Sequence, residues 1–154
     1  MSPSINQIGP DDVALMDDLL DLFAEAFDEP ETYGGNRPSA EYLRQLLAGD
    51  TFIALVAVES GGVIGGLAAY ELRKFEQQRS EIYVYDLAVR HTHRRRGVAT
   101  SLLRGLCEIG RDRAAHVVFV QADYGDEPAI ALYTSLGERE EVLHFDIAVR
   151  AEDV

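Results

Sequence analysis

The chain carries one cysteine, Cys107, which excludes a disulfide framework and points to a reducing compartment. It lacks any apolar stretch near the roughly 20 residues a membrane-spanning helix needs, and no basic segment followed by an apolar run opens it. The expected location is therefore the cytoplasm, with no membrane partner. No spacing of Cys, His and acidic residues matches a metal site, and neither internal repeats nor low-complexity segments occur. Basic residues are scarce, with 14 Lys and Arg against 27 acids and a net charge of −13. A field of that sign repels nucleic acid and anionic surfaces and attracts cations. Between Asp11 and Glu31 there are nine acids and no Lys or Arg.

What is present is an ordinary globular composition, 47% hydrophobic and 27% charged, in 154 residues. That length predicts one domain, residues 1–154, with a core that needs neither metal nor disulfide. The few basic residues are unevenly spread: Arg90, His91, His93, Arg94, Arg95 and Arg96 fall within seven positions. One basic site on an acidic body implies an anionic ligand and a cationic one held side by side.

Hydrophobic periodicity sets out the elements. Ser4 to Ile8 reads as a weak first strand. Pro10, Asp11 and Asp12 open a helix with Val13, Met16, Leu20, Phe23 and Phe27 at helical spacing, and Pro30 stops it. Ser39 caps a second helix, ended by Gly49. Thr51 to Glu59 and Val63 to Leu72 form an antiparallel hairpin about Ser60, Gly61 and Gly62, and Gly65 with Gly66 marks a bulge or a close backbone approach. Glu81 to Val89 is the next strand. A basic turn leads into a helix with Leu102, Leu103, Leu106 and Ile109 on one face, and Val117 to Val120 reads as a buried strand. Pro128 begins a last helix that Gly137 closes, and Val142 to Val149 alternates as a final strand. The order β-α-α-β-β-β-α-β-α-β places a parallel β-α-β unit inside an otherwise antiparallel sheet.

The stretch from Tyr85 to Leu103 organises the rest. A strand of β-branched and aromatic residues runs into a basic turn with one glycine, then into a helix whose first turn is small and hydroxylated. Open backbone N–H groups at a helix N-terminus beside three arginines hold a phosphate or pyrophosphate. Gly97 and Ala99 let such a ligand approach, and Thr100 and Ser101 add hydroxyl donors. Three arginines before a helix also fit a solvated surface turn; the buried strand before them and the amphipathic helix after them favour the phosphate.

Arg94, Gly97 and Ala99, following Leu87-Ala88-Val89, resemble the pyrophosphate-binding motif of the GNAT superfamily of acetyl-coenzyme A-dependent N-acetyltransferases. Ala129, Leu132, Tyr133 and Gly137 resemble its second motif at the expected distance, and the order of elements is similar over essentially the whole chain. Two positions depart: Asp126 stands where Asn is frequent, and Glu138 where Phe is. The resemblance implies the GNAT fold, an α/β (α+β) architecture with a mixed central sheet of six to seven strands, a parallel β-α-β unit and about four helices. Segments beginning at Thr51, Lys74, Arg79, Val120 and His144 look, more closely, like type I aminoglycoside 3-N-acetyltransferases. That resemblance implies acetyl-coenzyme A as co-substrate without a metal, and as acceptor a cationic aminoglycoside acetylated on its 3-amino group, an antibiotic-resistance activity by direct transfer. The superfamily's habit implies a homodimer.

On the same resemblance the coenzyme lies along Leu87, Ala88 and Val89 and then Arg94, Arg95, Arg96, Gly97, Val98, Ala99, Thr100 and Ser101, with a backbone N–H near Leu87 or Ala88 meeting the developing oxyanion. An ammonium cannot attack a thioester, so a base must take its proton and a donor must serve the thiolate. Asp86, the lone carboxylate in an apolar strand, is the first choice of base; the alternative is a buried acid satisfied by Tyr or backbone donors. Glu81 falls on the opposite face of a regular strand and is the runner-up, since a bulge would change that parity. Tyr133 matches the superfamily's thiolate proton donor, against a packing role alone.

Acceptor contacts are expected from Asp28, Glu29 and Tyr33 beyond the first helix, and from Tyr83 and Tyr85 on one strand face. The loop acids and ring Asp123, Tyr124, Asp126 and Glu127 join them, with helix capping as the competing use of Asp126 or Glu127. Glu140, Glu141, His144 and Asp146 are weaker candidates, for edge charges or dimer contacts. The remaining functional alternatives are acetylation of another polyamine or of a protein amino group, and a coenzyme A-binding module without catalysis.

Overall fold

The computed structural model describes residues 2–150. In chain order its elements are strand β1 (Ser4–Gln7), helix α1 (Val13–Phe27), a π-helical turn (Glu31–Gly35), α2 (Ala40–Ala48), β2 (Phe52–Glu59), β3 (Gly62–Arg73), β4 (Ser80–Val89), a 3-10 turn (His91–His93), α3 (Val98–Asp112), β5 (Ala115–Val120) and α4 (Glu127–Leu136). They group in two compact units, Met1–Gln121 and Ala122–Val154.

The first unit is built on one sheet in the order β1-β2-β3-β4-β5, antiparallel as far as β4 and parallel between β4 and β5. Its tightest connection joins β2 to β3, where Ser60 and Gly61 both take positive φ (53° and 79°), as a type I′ hairpin turn requires. Cross-strand partners share a face, which sorts the sheet into two sides. Leu67, Ala69, Ile82 and Val84 lie on the side that α3 covers with the buried Val98, Leu102 and Leu106. Ala54, Val56, Gly66 and Ala68 lie on the side beneath α1, whose Met16, Leu19, Leu22 and Phe23 are buried. Each of those α1 side chains contributes about 1.5–3 kcal/mol by leaving water. Gly65 and Gly66 mark both a close approach and a nearby bulge: a Cβ on Gly66 would meet Leu19 Cδ1 at 2.3 Å, and β2 and β3 slip register between Ala57 and Val58.

Several expected boundaries move. Helix α1 begins at Val13, and Pro10 sits in the turn before it, closed by Asp12 N–H donating to Gly9 O at 3.0 Å. Nor does Pro30 stop this helix. Asp28 does, by taking the left-handed conformation (φ 51°) and returning its N–H to Ala24 O, and Pro30 instead precedes the π-helical turn. Ser39 caps α2 as expected, its Oγ accepting from Tyr42 N–H at 3.1 Å. β5 is an outer strand with side chains part-buried or exposed, so its unbroken apolar run does not mean burial on both faces. Cys107 lies on the exposed side of α3.

In the second unit, α4 starts on Asp126, whose Oδ1 accepts from Ala129 N–H at 3.3 Å, and ends with Gly137 N–H on Tyr133 O at 2.9 Å. Val142 to Val149 is not a strand, and among the described residues the sheet has five strands instead of six to seven. Alternation gives that segment an apolar side, Leu143, Phe145, Ile147 and Val149, all of it exposed. A strand exists only where a neighbour supplies ladder hydrogen bonds, and no such neighbour pairs with this segment among the described residues.

Candidate active site

The site begins with an irregularity in β4. Ala68 pairs with Asp86 and Ala69 with Val84, so Tyr85 is an extra residue opposite no partner, a β-bulge. Alternation therefore reverses at Tyr85. In a regular strand Asp86 would share the α3 side with Ile82 and Val84; the bulge turns it to the opposite side, with Ala68, Tyr70 and Tyr83. Glu81 lies on this same side, a correction to its regular-strand placement, but it is on the order of 13 Å along the strand from Asp86. Its carboxylate also faces Lys74 Nζ at 3.7 Å.

Just past the bulge the sheet opens. β4 pairs with β5 only as far as Val84 with Val120, while its pairing with β3 continues to Val89. Main-chain groups of Leu87 and Val89 point to the β5 side, where they have no strand partner among the described residues, whereas Ala88 faces Gly66 in the β3 ladder; backbone N–H groups in such an open position seek a ligand or water.

Asp86 is half-buried, and burial raises its affinity for a proton. The Tyr33 hydroxyl donates to its Oδ2 at 3.0 Å and acts in the opposite direction, while the nearby Glu29 carboxylate raises it further; the net shift is upward. Tyr33 itself is pushed well above the usual phenol range by burial and then by Asp86. It stands on the π-helical turn, a geometry frequent at functional sites, with its ring 5.8 Å from Phe23 and 5.6 Å from Phe27. A run of rings crosses the sheet beside Asp86. Phe52 meets Tyr70 at 5.3 Å, Tyr70 meets Tyr85 edge-on at 6.0 Å, Tyr85 meets Tyr83 at 5.9 Å, and Tyr83 stacks on Phe119 at 4.8 Å. The Tyr83 hydroxyl donates to Gln121 Oε1 at 2.9 Å. Glu29, Tyr33, Tyr83 and Tyr85 are thus brought together around Asp86, whereas Asp28 is spent as the exposed end of α1.

Beyond β4 the basic turn has the form an anion needs. Arg95 and Gly97 take positive φ (63° and 76°), and a Cβ on Gly97 would meet nothing within 4 Å, so the space over the turn is open. No side chain caps α3, which leaves the N–H groups of Val98, Ala99 and Thr100 available. Ser101 N–H is already bonded to Gly97 O at 3.0 Å, which leaves Ser101 its hydroxyl. Arg94 Nε is tied to Val89 O at 3.2 Å, and Arg96 is paired with Glu59 at 3.1 Å, beside His93 at 3.6 Å. These residues fit a pyrophosphate: open donors, small side chains and positive charge converge on one helix end.

Within the second unit, Asp126 is the α4 cap, which settles its structural use, and Glu127 occupies the first turn of that helix. The hydroxyl of Tyr124 donates to Glu141, which also pairs with Arg139 at 2.8 Å, and His144 Nε2 lies 2.8 Å from Asp146 Oδ1. Burial first, and then the Asp126 carboxylate, push the Tyr133 hydroxyl up to about 12, so it keeps its proton at neutral pH.

The family profile for GNAT acetyltransferases matches residues 16–137. The chain belongs to the acetyltransferase (GNAT) family. Its five-stranded mixed sheet with one parallel pair and four α-helices is the GNAT fold. An aminoglycoside acetyltransferase, HMB0005, from an uncultured soil metagenomic sample is 62% identical and superposes with a TM-score of 0.95 over 97% of this chain and 100% of its own. A second, meta-AAC0020, also from an uncultured soil metagenomic sample and solved in complex with sisomicin, is 28% identical with a TM-score of 0.89 over 96% of each chain. N-acetyltransferase 8F1 of Mus musculus is 28% identical over 82 residues, 53% of this chain, and the match spans only 37% of that relative's length.

Three contributors to the site escape sequence reading. Tyr70 and Phe119 extend the ring platform, and Glu59 engages Arg96 and His93 of the basic turn. All three lie on strands where they read as ordinary core or edge residues, and only the sheet register places them.

Proposed function

We propose that this GNAT family member transfers an acetyl group from acetyl-coenzyme A to the 3-amino group of an aminoglycoside, directly in a ternary complex, with Asp86 as the base. One observation carries the reading most: a half-buried carboxylate of raised proton affinity is turned by a bulge to the point where β4 and β5 part, immediately before an anion-binding turn. Acetyl-coenzyme A, when bound, supplies the activated thioester. Val98, Ala99 and Thr100 N–H groups, with Arg94 and its neighbours, bind its pyrophosphate, and the open edge at Leu87 orients the acetyl carbonyl. Asp86 takes the proton from the acceptor ammonium, directly or through one water. Tyr133 holds its proton at Oη for the departing thiolate. Glu29 and the rings of Tyr83 and Tyr85 meet the polycation, in keeping with the net charge of −13.

The aminoglycoside acceptor is supported by the two soil relatives named above, and the 3-amino position by the similarity to type I enzymes. A cytoplasmic homodimer conferring resistance belongs to the same reading. Thiol release measured with gentamicin, spermidine and a peptide as acceptors tests it, with NMR of the product to locate the acetyl group. Release with gentamicin and acetylation at the 3-amino group is the expected result. Turnover of the peptide alone would sink the antibiotic reading, acetylation of a different amine would remove the 3-amino assignment, and no release with any amine would leave a coenzyme A-binding module.

Two substitutions probe the parts. Tyr133→Phe is expected to lower kcat by about 100-fold, at the low end for loss of a proton-transfer group, with little change in aminoglycoside KM. Wild-type turnover would return Tyr133 to a packing role. Gly97→Val has room for its side chain but must hold a β-branched residue at φ 76°. It should cost about 1–3 kcal/mol of stability and, in calorimetric titration with coenzyme A, weaken binding; unchanged affinity would move the pyrophosphate elsewhere.

A further inference from the structure

Arg37 has no part in the roles assigned above, yet it is bonded more extensively than a surface arginine needs. Its Nε and Nη2 both donate to the main-chain carbonyl of Tyr33, at 3.3 and 2.8 Å. Nη2 also donates to Asp21 Oδ1 at 2.9 Å, and Nη1 to the carbonyl of Asp17 at 3.4 Å, with Asp17 Oδ1 at 3.8 Å. Asp17 and Asp21 lie one turn apart on α1, so the guanidinium ties the π-helical turn to the helix that precedes it. Two donors from one rigid fork on a single carbonyl is a geometry that lysine cannot reproduce. The residue whose carbonyl is held in this way, Tyr33, presents its hydroxyl to Asp86 Oδ2 at 3.0 Å. Asp86 Oδ1 has no hydrogen bond to protein among the described residues.

We propose that Arg37 is a positioning residue for the proton transfer: by clamping the π-helical turn onto α1 it holds the Tyr33 hydroxyl on Asp86 Oδ2, which leaves Oδ1 for the acceptor ammonium. A carboxylate's final torsion is broad, and one fixed donor on one oxygen sets the plane of the group and so the direction of the other oxygen. Phe23 and Phe27 contact the Tyr33 ring, and the two bonds from Arg37 hold its main-chain carbonyl. The inference rests on Asp86 being the base.

The titratable groups that face Asp86 are Tyr33 and Glu29 from the segment after α1, Tyr70 from β3, and Tyr83 and Tyr85 from β4. Of these, the Tyr33 hydroxyl favours the ionised carboxylate. Its removal in Tyr33→Phe should therefore move the acidic limb of the pH dependence of gentamicin kcat/KM to higher pH. Arg37→Ala should move the limb in the same direction and lower kcat/KM roughly tenfold near that limb, with coenzyme KM unchanged. The double variant should be little worse than either single one, because both remove one interaction. If Arg37→Ala does not fold, Arg37→Lys keeps the charge between Asp17 and Asp21 without the fork and serves the same comparison. An acidic limb that stays in place, or effects that add, would overturn the proposal and leave Arg37 a stabilising contact.

A second readout separates this inference from the assignment of the base. Carbon NMR of the Asp86 carboxyl in the full chain, without substrates, should show titration at higher pH in both the Arg37 and Tyr33 variants. An unmoved titration overturns the clamp whatever the turnover. Full activity in Asp86→Asn alongside a moved titration means that the clamp stands and the base is elsewhere, which removes the catalytic role proposed for Arg37.

Discussion

Asp86→Asn is expected to lower kcat by about 10²–10⁴-fold, the range for losing a positioned general base, while leaving the protein folded and its coenzyme affinity near wild type. Asparagine has the same shape and its side-chain oxygen still accepts from the Tyr33 hydroxyl, so the bulge and the ring platform have no reason to move. The half-buried carboxylate also carries a larger desolvation cost than an amide, so thermal stability should hold or rise. Glu81→Gln is the matched control. Glu81 shares the face of Asp86 but sits far down the strand against Lys74, and its replacement should leave turnover close to wild type. Steady-state rates with gentamicin and calorimetry with coenzyme A decide between them. If Asp86→Asn turns over normally while Glu81→Gln fails, the base has been misassigned.

Gly66→Ala should be the most damaging of the glycine-to-alanine changes. The new Cβ would stand 2.3 Å from Leu19 Cδ1 and 2.9 Å from the carbonyl oxygen of Leu55. Leu19 could rotate only by losing its place in a helix face that is fully buried, and the Leu55 carbonyl belongs to the paired β2–β3 backbone. Overpacking of this kind costs about 3 kcal/mol, and at about 2–4 °C per kcal/mol for a domain of this size the melting temperature should fall by roughly 10 °C. Gly34→Ala is the comparison, since its Cβ meets nothing within 4 Å. Equal melting temperatures for the two variants would mean that α1 does not lie against β3 as described.

The order of helices and strands through α4 is legible in the chain because each element carries its own period. The 3.6-residue spacing of α1 and the alternation or unbroken apolar runs of the strands are local, as are the Ser39 cap, the Ser60-Gly61 turn and the Gly65-Gly66 pair. The basic turn is equally local, since Arg94 to Ser101 specifies both the helix end and the charge around it. The family follows from two such motifs in register with the elements.

Other features depend on which strand lies beside which, and spacing along one chain does not carry that. Residues Val142 to Val149 have a strand's alternation and no ladder. The apolar run in β5 reads as buried, yet its position at the edge of the sheet leaves it part-exposed. Most consequential is Tyr85. Its displacement from the β3–β4 pairing is a property of two strands together, and it alone decides that Asp86 leaves the α3 side and meets Tyr33. Asp86 is therefore legible in the sequence as a carboxylate in the apolar part of β4. Its orientation, its hydrogen-bond partner and the arginine that holds that partner came only with the tertiary structure, because a one-residue change of register inverts a strand's faces without altering a single local preference.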